Sequence, residues 1–158
     1  MTIGRDVAIA LRAAYLALHR CSEAAFARHG VTADQFVLLA NLDRGIALSQ
    51  RELARRMTSD PSTVRAMLVL LEQGGLVERD AHPNDGRART VALTAAGKRA
   101  FGKLWAVGEP IRAGMLGALR PGEAETLVGL LSRVAQALAA EAVPVGRPRS
   151  SHTSGDET

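Results

Sequence analysis

Apolar residues recur at three- and four-residue steps along most of the chain. From Gly4 to about Arg28 the series Val7, Leu11, Ala14, Leu18, Cys21 and Ala25 predicts an amphipathic helix that closes near His29 and Gly30. Thr32 and Gln35 have the spacing of a capping box, so a second helix opens there, whose run of Phe36, Leu39, Ala40 and Asp43 ends near Arg44 and Gly45. The short stretch 46–48 fits a single β-bridge. Ser49 and Glu52 repeat the capping-box spacing and start a third helix. Asp60 followed by Pro61 starts a fourth, with an acceptor side chain at the N-cap and a ring that presets φ where no N–H bond is lost. That helix runs to Gly74 and Gly75. Leu53, Ala54, Met57, Val64, Met67 and Leu71 have the spacing of two short helices crossing over a shared apolar contact, in which a side chain larger than Ala54 would push them apart.

After Gly75 the period changes from helix to strand. Residues 76–79 and 89–93 alternate as strands, separated by a turn-rich, basic-tipped loop over 80–88, which predicts a hairpin. Thr94 caps a long fifth helix bearing Phe101, Leu104, Trp105, Ile111, Met115 and Leu119, with a bend expected at Gly108 and Pro110. Pro121 begins a last helix striped by Leu127, Leu130, Leu131, Val134 and Leu138. Two short crossed helices followed by a basic hairpin make a winged helix-turn-helix, which lays its second helix in a DNA major groove with the wing alongside. The terminal stripes exceed what a small winged domain can bury. The economical solution is that they pack together and against a second copy, giving a two-fold dimer. The expected organisation is mainly α with a small β-hairpin wing: one domain over 1–143, with the winged helix-turn-helix at 31–94 and dimerisation helices at 4–29 and 95–141. A disordered tail is expected over 144–158, which lacks periodicity and is rich in polar breakers.

Composition sharpens this picture in two places. Of 158 residues, 47% are hydrophobic but only 3% aromatic, so the core must be built from Leu, Val and Ala, as suits helices packed closely on helices. The formal charge of +4 is compatible with a polyanionic partner without requiring one. Arg5 and Asp6 stand where the apolar part of a signal peptide would begin, and no apolar run reaches membrane-spanning length, so a cytoplasmic protein with no membrane partner is expected. Cys21 excludes an intrachain disulfide and, on an apolar stripe, reads as an inert core residue. His19, Cys21, His29, His82 and His152 lack convergent metal-ligand spacing, and there is no Walker loop, nucleophile elbow or carboxylate pair. Neither metal, cofactor nor catalysis is expected.

Double-stranded DNA is the expected partner. Ser62, Thr63, Arg65 and Ala66 sit in the first turns of the expected recognition helix. A forked Arg65 contact to guanine would carry roughly 1–3 kcal/mol of base discrimination, and Ala66 could meet a thymine methyl. Gln50, Arg51 and Arg55 on the preceding helix suit phosphate positioning. On the wing, Arg87 and Arg89 suit a narrow minor groove, while Asp85 and Gly86 shape the tip, Asp85 by pairing with Arg87 or capping the loop.

The segments DPSTV (60–64), LEQGGLVER (71–79) and DGRARTVALTAAG (85–97) resemble the MarR family of winged-helix transcriptional regulators, and the likeness extends over 31–119. Gly86 departs from the Asp-Arg-Arg usual at that family's wing. Ala66, Val69 and Leu70 depart from its polar or basic outer recognition-helix face. The resemblance implies a homodimer on a pseudo-palindromic operator, acting as a repressor released by a small aromatic or anionic effector between the dimer base and the winged lobes. Tyr15, His19, Asn41, Arg44 and Trp105 come from elements that would line such a crevice. The alternative is a winged-helix protein-interaction module that has lost DNA binding and uses Val69, Leu70 and the apolar helix face.

Overall fold

The computed structural model describes residues 2–82 and 85–141, and describes side chains for all of these except 81–82 and 85–88. Helices α1 (Thr2–Ala27) and α2 (Ala33–Leu42) precede strand β1 (Leu48–Ser49) and the helix pair α3 (Gln50–Arg56) and α4 (Pro61–Gln73). The hairpin β2 (Val77–His82) and β3 (Asp85–Leu93) follows, then α5 (Ala95–Val107), α6 (Glu109–Gly117) and α7 (Glu123–Glu141). By its internal contacts the chain divides after Leu119 into two compact units, each described by itself. The tail expected over 144–158 lies outside the described residues.

The capping chemistry read from the sequence forms as expected. Thr32 Oγ1 accepts from the Gln35 N–H at 3.0 Å while Gln35 Oε1 accepts from the Thr32 N–H at 3.0 Å. Ser49 and Glu52 make the same reciprocal pair at 3.1 and 2.8 Å. Each box satisfies donors that the first helical turn leaves without an internal partner. Between these helices, Leu38, Leu39, Leu53, Val64 and Leu68 are fully buried with Val91 of the wing. Burial of one such side chain contributes about 1.5–3 kcal/mol. Ala54 is buried at the α3–α4 crossing, as its small size requires.

Four expectations are corrected. The stretch 80–88 is not one long loop, because strand pairing continues through Asp80 to His82 on one side and from Asp85 on the other. The ladder extends with the register shifted between Ala81 and His82, since backbone groups that can pair across a hairpin do so regardless of modest strand propensity. The last helix starts at Glu123 rather than Pro121. Gly122 takes φ of 84°, outside helical geometry, and the Glu123 carboxylate accepts from the Arg120 N–H at 2.8 Å. Cys21 is exposed rather than a core residue, because Phe26 is the only buried side chain of α1. The expected bend at Gly108 is a full break: this residue ends α5 and opens α6.

The sheet order is β1–β3–β2, all antiparallel. Leu48 pairs with Val91 and Ser49 with Thr90, so the residue that caps α3 is also laced to the wing. The base of the wing is fixed to α5 at one point of close approach. A Cβ on Gly97 would lie 1.9 Å from the Leu76 carbonyl oxygen, so only glycine admits the helix at this distance. Thr94 completes the joint: its hydroxyl accepts from the Gly97 N–H at 2.9 Å and donates to the Gly75 carbonyl at 2.6 Å.

Candidate nucleic-acid interface

Asp60 organises the start of α4. Its carboxylate accepts from the backbone N–H groups of Ser62 at 3.0 Å and Thr63 at 3.1 Å, and from the Ser62 hydroxyl. The Ser62 hydroxyl, followed by the Thr63 N–H, holds this carboxyl below its ordinary range. Glu52 is likewise held low, first by the Ser49 N–H and hydroxyl and then by the nearby Arg55 and Arg56 guanidiniums. In the α3–α4 turn Thr58 adopts φ of 49°, a left-handed conformation that a β-branched residue rarely takes. The turn is held by the Thr58 N–H on the Arg55 carbonyl at 3.1 Å and the Ser59 N–H on the Ala54 carbonyl at 3.0 Å.

These constraints set which face of α4 is free. Val64, Met67, Leu68 and Leu71 turn inward, leaving Ser62, Thr63, Arg65 and Ala66 exposed. Arg51 and Arg55 are exposed on α3 and Gln50 is half-buried at its start. Among the described residues Arg51, Arg55 and Arg65 have no carboxylate at ion-pair distance, whereas Arg79 is held by Glu72 and Arg112 by Glu109. The guanidiniums on the helix-turn-helix are therefore available to an outside anion. Arg89 is exposed on β3 opposite Ala81. The backbone of Asp85, Gly86 and Arg87 lies in the shifted part of the wing, and their side chains are outside the described residues.

A second feature lies where α1, α2, α5 and α6 meet. A cavity of about 230 Å³ opens there, lined by Tyr15, His19, Phe36, Trp105 and Arg112 among others. Four of the chain's five aromatic residues line it, a concentration that composition alone would not produce. Phe26, Phe36, Phe101 and Trp105 form a continuous run with ring centroids 4.4, 5.6 and 6.0 Å apart. Tyr15 stacks on His19 at 5.6 Å. Arg112, not among the residues expected from the sequence, has its guanidinium carbon 3.6 Å from the centre of the Trp105 ring. Its Nη2 donates to the Trp105 carbonyl at 2.5 Å and to Glu109 at 2.7 Å. The i to i+7 spacing of Trp105 and Arg112 was a usable signal, obscured by the helix break between them. Tyr15, His19 and Trp105 thus come together, but Asn41 and Arg44 do not join them. The Asn41 amide donates to the Val37 carbonyl at 2.9 Å, and Arg44 is exposed beyond α2.

No described helix is long and apolar enough to cross a membrane. Among the described residues there is no group of three or more His, Cys, Asp or Glu able to hold a metal ion.

Comparison with known proteins gives a consistent result. A family model described as the MarR family matches residues 31–88. The HTH-type transcriptional repressor MdtR of Bacillus subtilis (strain 168) is 30% identical over 132 residues, covering 84% of this chain and 85% of the relative. Wild-type MarR of Escherichia coli in its apo form is 26% identical with a TM-score of 0.68, over 80% of this chain and 95% of that one. The MosR regulator of Mycobacterium tuberculosis, solved in complex with DNA, shares the fold at a TM-score of 0.72 and 24% identity, over 86% of this chain and 98% of that one. The capped helix pair, the bulged wing laced to it and this match along most of the chain agree: the protein belongs to the MarR family of winged helix-turn-helix transcriptional regulators.

Proposed function

We propose that this chain is a transcriptional repressor rather than an enzyme, working in the cytoplasm as a homodimer that occupies a pseudo-palindromic operator and leaves it when a small aromatic or anionic effector binds. The observation that carries the DNA reading is the exposed face of α4, capped by Asp60 and flanked by guanidiniums without carboxylate partners among the described residues. The relatives' descriptions as transcriptional regulators and a transcriptional repressor support it.

The dimer reading rests on the terminal helices. Among their described residues α6 and α7 bury no side chain, and Ile3, Val7, Ile9, Leu116, Leu127, Val128 and Leu131 are exposed. Helices 4–29 and 95–141 would join two copies and carry the lobes at 31–94 about one DNA turn, ~34 Å, apart. The aromatic cavity touches α2, which leads directly into the helix-turn-helix, so an occupant that wedges α2 from α1 and α6 would change the separation of the two lobes. It does so only if it binds one arrangement more tightly than the other.

Binding to duplex DNA measured by anisotropy across a salt series tests this reading. Several phosphate contacts predict affinity falling by orders of magnitude between about 50 and 200 mM salt. Arg89→Ala should weaken binding to all sequences, and Arg65→Ala should flatten preference at one base pair in each half-site. A flat salt response, or no binding at low salt, would refute it. A second reading, a protein-docking module, is favoured by one observation: Val69 and Leu70 on the same face are 37% and 58% exposed.

A further inference from the structure

The face of α4 that points directly away from the core carries no charge. At about 100° per residue, Val64, Met67, Leu68 and Leu71 define the buried side, and Ser62, Ala66, Val69 and Gln73 fall within an arc of about 60° diametrically opposite it. This strip is about 16 Å long, with a hydroxyl at one end, a carboxamide at the other and two apolar side chains between them. Thr63 and Leu70 flank it on one side. Arg65 and Glu72 flank it on the other, about 70° or more from the centre line, and Glu72 is already engaged by Arg79 of β2. Arg65 is therefore placed to reach a base at the edge of the contacted stretch rather than at its centre.

We propose that Ala66 and Val69 read thymine methyl groups, so that each half-site is specified at its centre by 5-methyl contacts and only at its edge by a guanidinium. This rests on the DNA-binding reading above and adds the chemistry of the operator. An exposed apolar strip, with exposed Arg51 and Arg55 on the packed helix α3, fits a partner that combines anionic groups with an apolar floor. A major groove lined with thymine is such a partner: phosphates bound it on both sides, and the C5 methyl is the apolar group a base pair displays there. A protein surface would need to set a ring of carboxylates around an apolar centre to match it.

Removing the methyl without touching any hydrogen-bonding group isolates this contact. With an operator selected from random duplex DNA, each thymine is replaced in turn by deoxyuridine and affinity is measured for the full-length protein. One methyl buried is worth about a fourfold change, and the same change in both half-sites about 15-fold. We expect at least one thymine in each half-site to show this loss. Val69→Ser or Ala66→Ser should bind the thymine duplex no better than the matching uracil duplex, with circular dichroism unchanged because both positions are exposed. Uracil duplexes bound as tightly as thymine duplexes would overturn the proposal while leaving DNA binding intact. So would a uracil penalty of the same size in both variants, the result expected if the strip holds a protein instead. Failure of the wild-type chain to bind any duplex at low salt would overturn the DNA reading itself and this inference with it.

Discussion

Replacing Gly97 with alanine puts a methyl group where the Leu76 carbonyl already stands. The added carbon would lie 1.9 Å from that oxygen and 2.9 Å from its carbon, so the backbones must separate by more than about 1 Å to reach ordinary contact. Neither side yields easily. The Leu76 carbonyl accepts from the Thr94 N–H at 3.1 Å, and the Leu76 N–H is held by the Leu71 carbonyl at 2.9 Å. Overpacking of this kind costs up to about 3 kcal/mol, and alanine's advantage over glycine within a helix returns about 1, leaving about 2 kcal/mol of destabilisation. For a chain of this size that lowers Tm by about 4–8 °C. Gly102 on the same helix is the control, because a Cβ there meets nothing within 4 Å and Gly102→Ala should raise Tm. Thermal unfolding of both variants at one fixed protein concentration gives the comparison, since the Tm of the proposed dimer would depend on concentration. The DNA affinity of Gly97→Ala should also fall, because Leu76 is the joint between α4 and the wing. A Gly97→Ala protein as stable as Gly102→Ala would refute the close approach and the rigid coupling of wing to recognition helix derived from it.

Thr58→Gly should stabilise the fold by about 1 kcal/mol, read from urea midpoints, because glycine takes the left-handed turn without the steric cost borne by a β-branched residue. Thr94→Ala should cost about 1 kcal/mol through loss of the α5 cap and its bond to Gly75, and Thr94→Ser should restore it, by the same measurement. Asp60 and Glu52 both have lowered pKa values in the fold, so the stability they contribute is present above the ordinary carboxylate range and is lost as pH falls through their folded values. Urea midpoints should therefore decline below about pH 4, and Asp60→Asn, which keeps an N-cap acceptor that does not titrate, should lessen the decline.

What the sequence disclosed was set by local chemistry. The caps at Thr32, Ser49, Asp60 and Thr94 each use a side chain and a backbone donor two or three residues apart, so spacing alone specifies them. A bend at Gly108 followed from Gly and Pro for the same reason, although the structure makes it a full break. The length of the wing was not legible, because strand pairing past Arg79 depends on the facing strand rather than on the propensity of 80–88. Leu68 is fully buried yet lies outside the expected α3–α4 series, because Val64, Met67 and Leu71 follow only part of the buried arc. Cys21 shows a further limit: periodicity says that a helix face is apolar, not what covers it. The cavity was half legible. Tyr15, His19 and Trp105 could be placed by element, whereas Arg112 is brought to Trp105 across a helix break, and Asn41 is turned to its own helix by the Val37 carbonyl.

Selection of bound fragments from random duplex DNA by the purified full-length protein tests the central claim most directly. An inverted repeat whose half-sites are centred one helical turn apart should be recovered, since two copies of α4 must enter successive major grooves on one side of the duplex. Recovery of no enriched sequence, or of a single unrepeated site bound by one protomer, would contradict it.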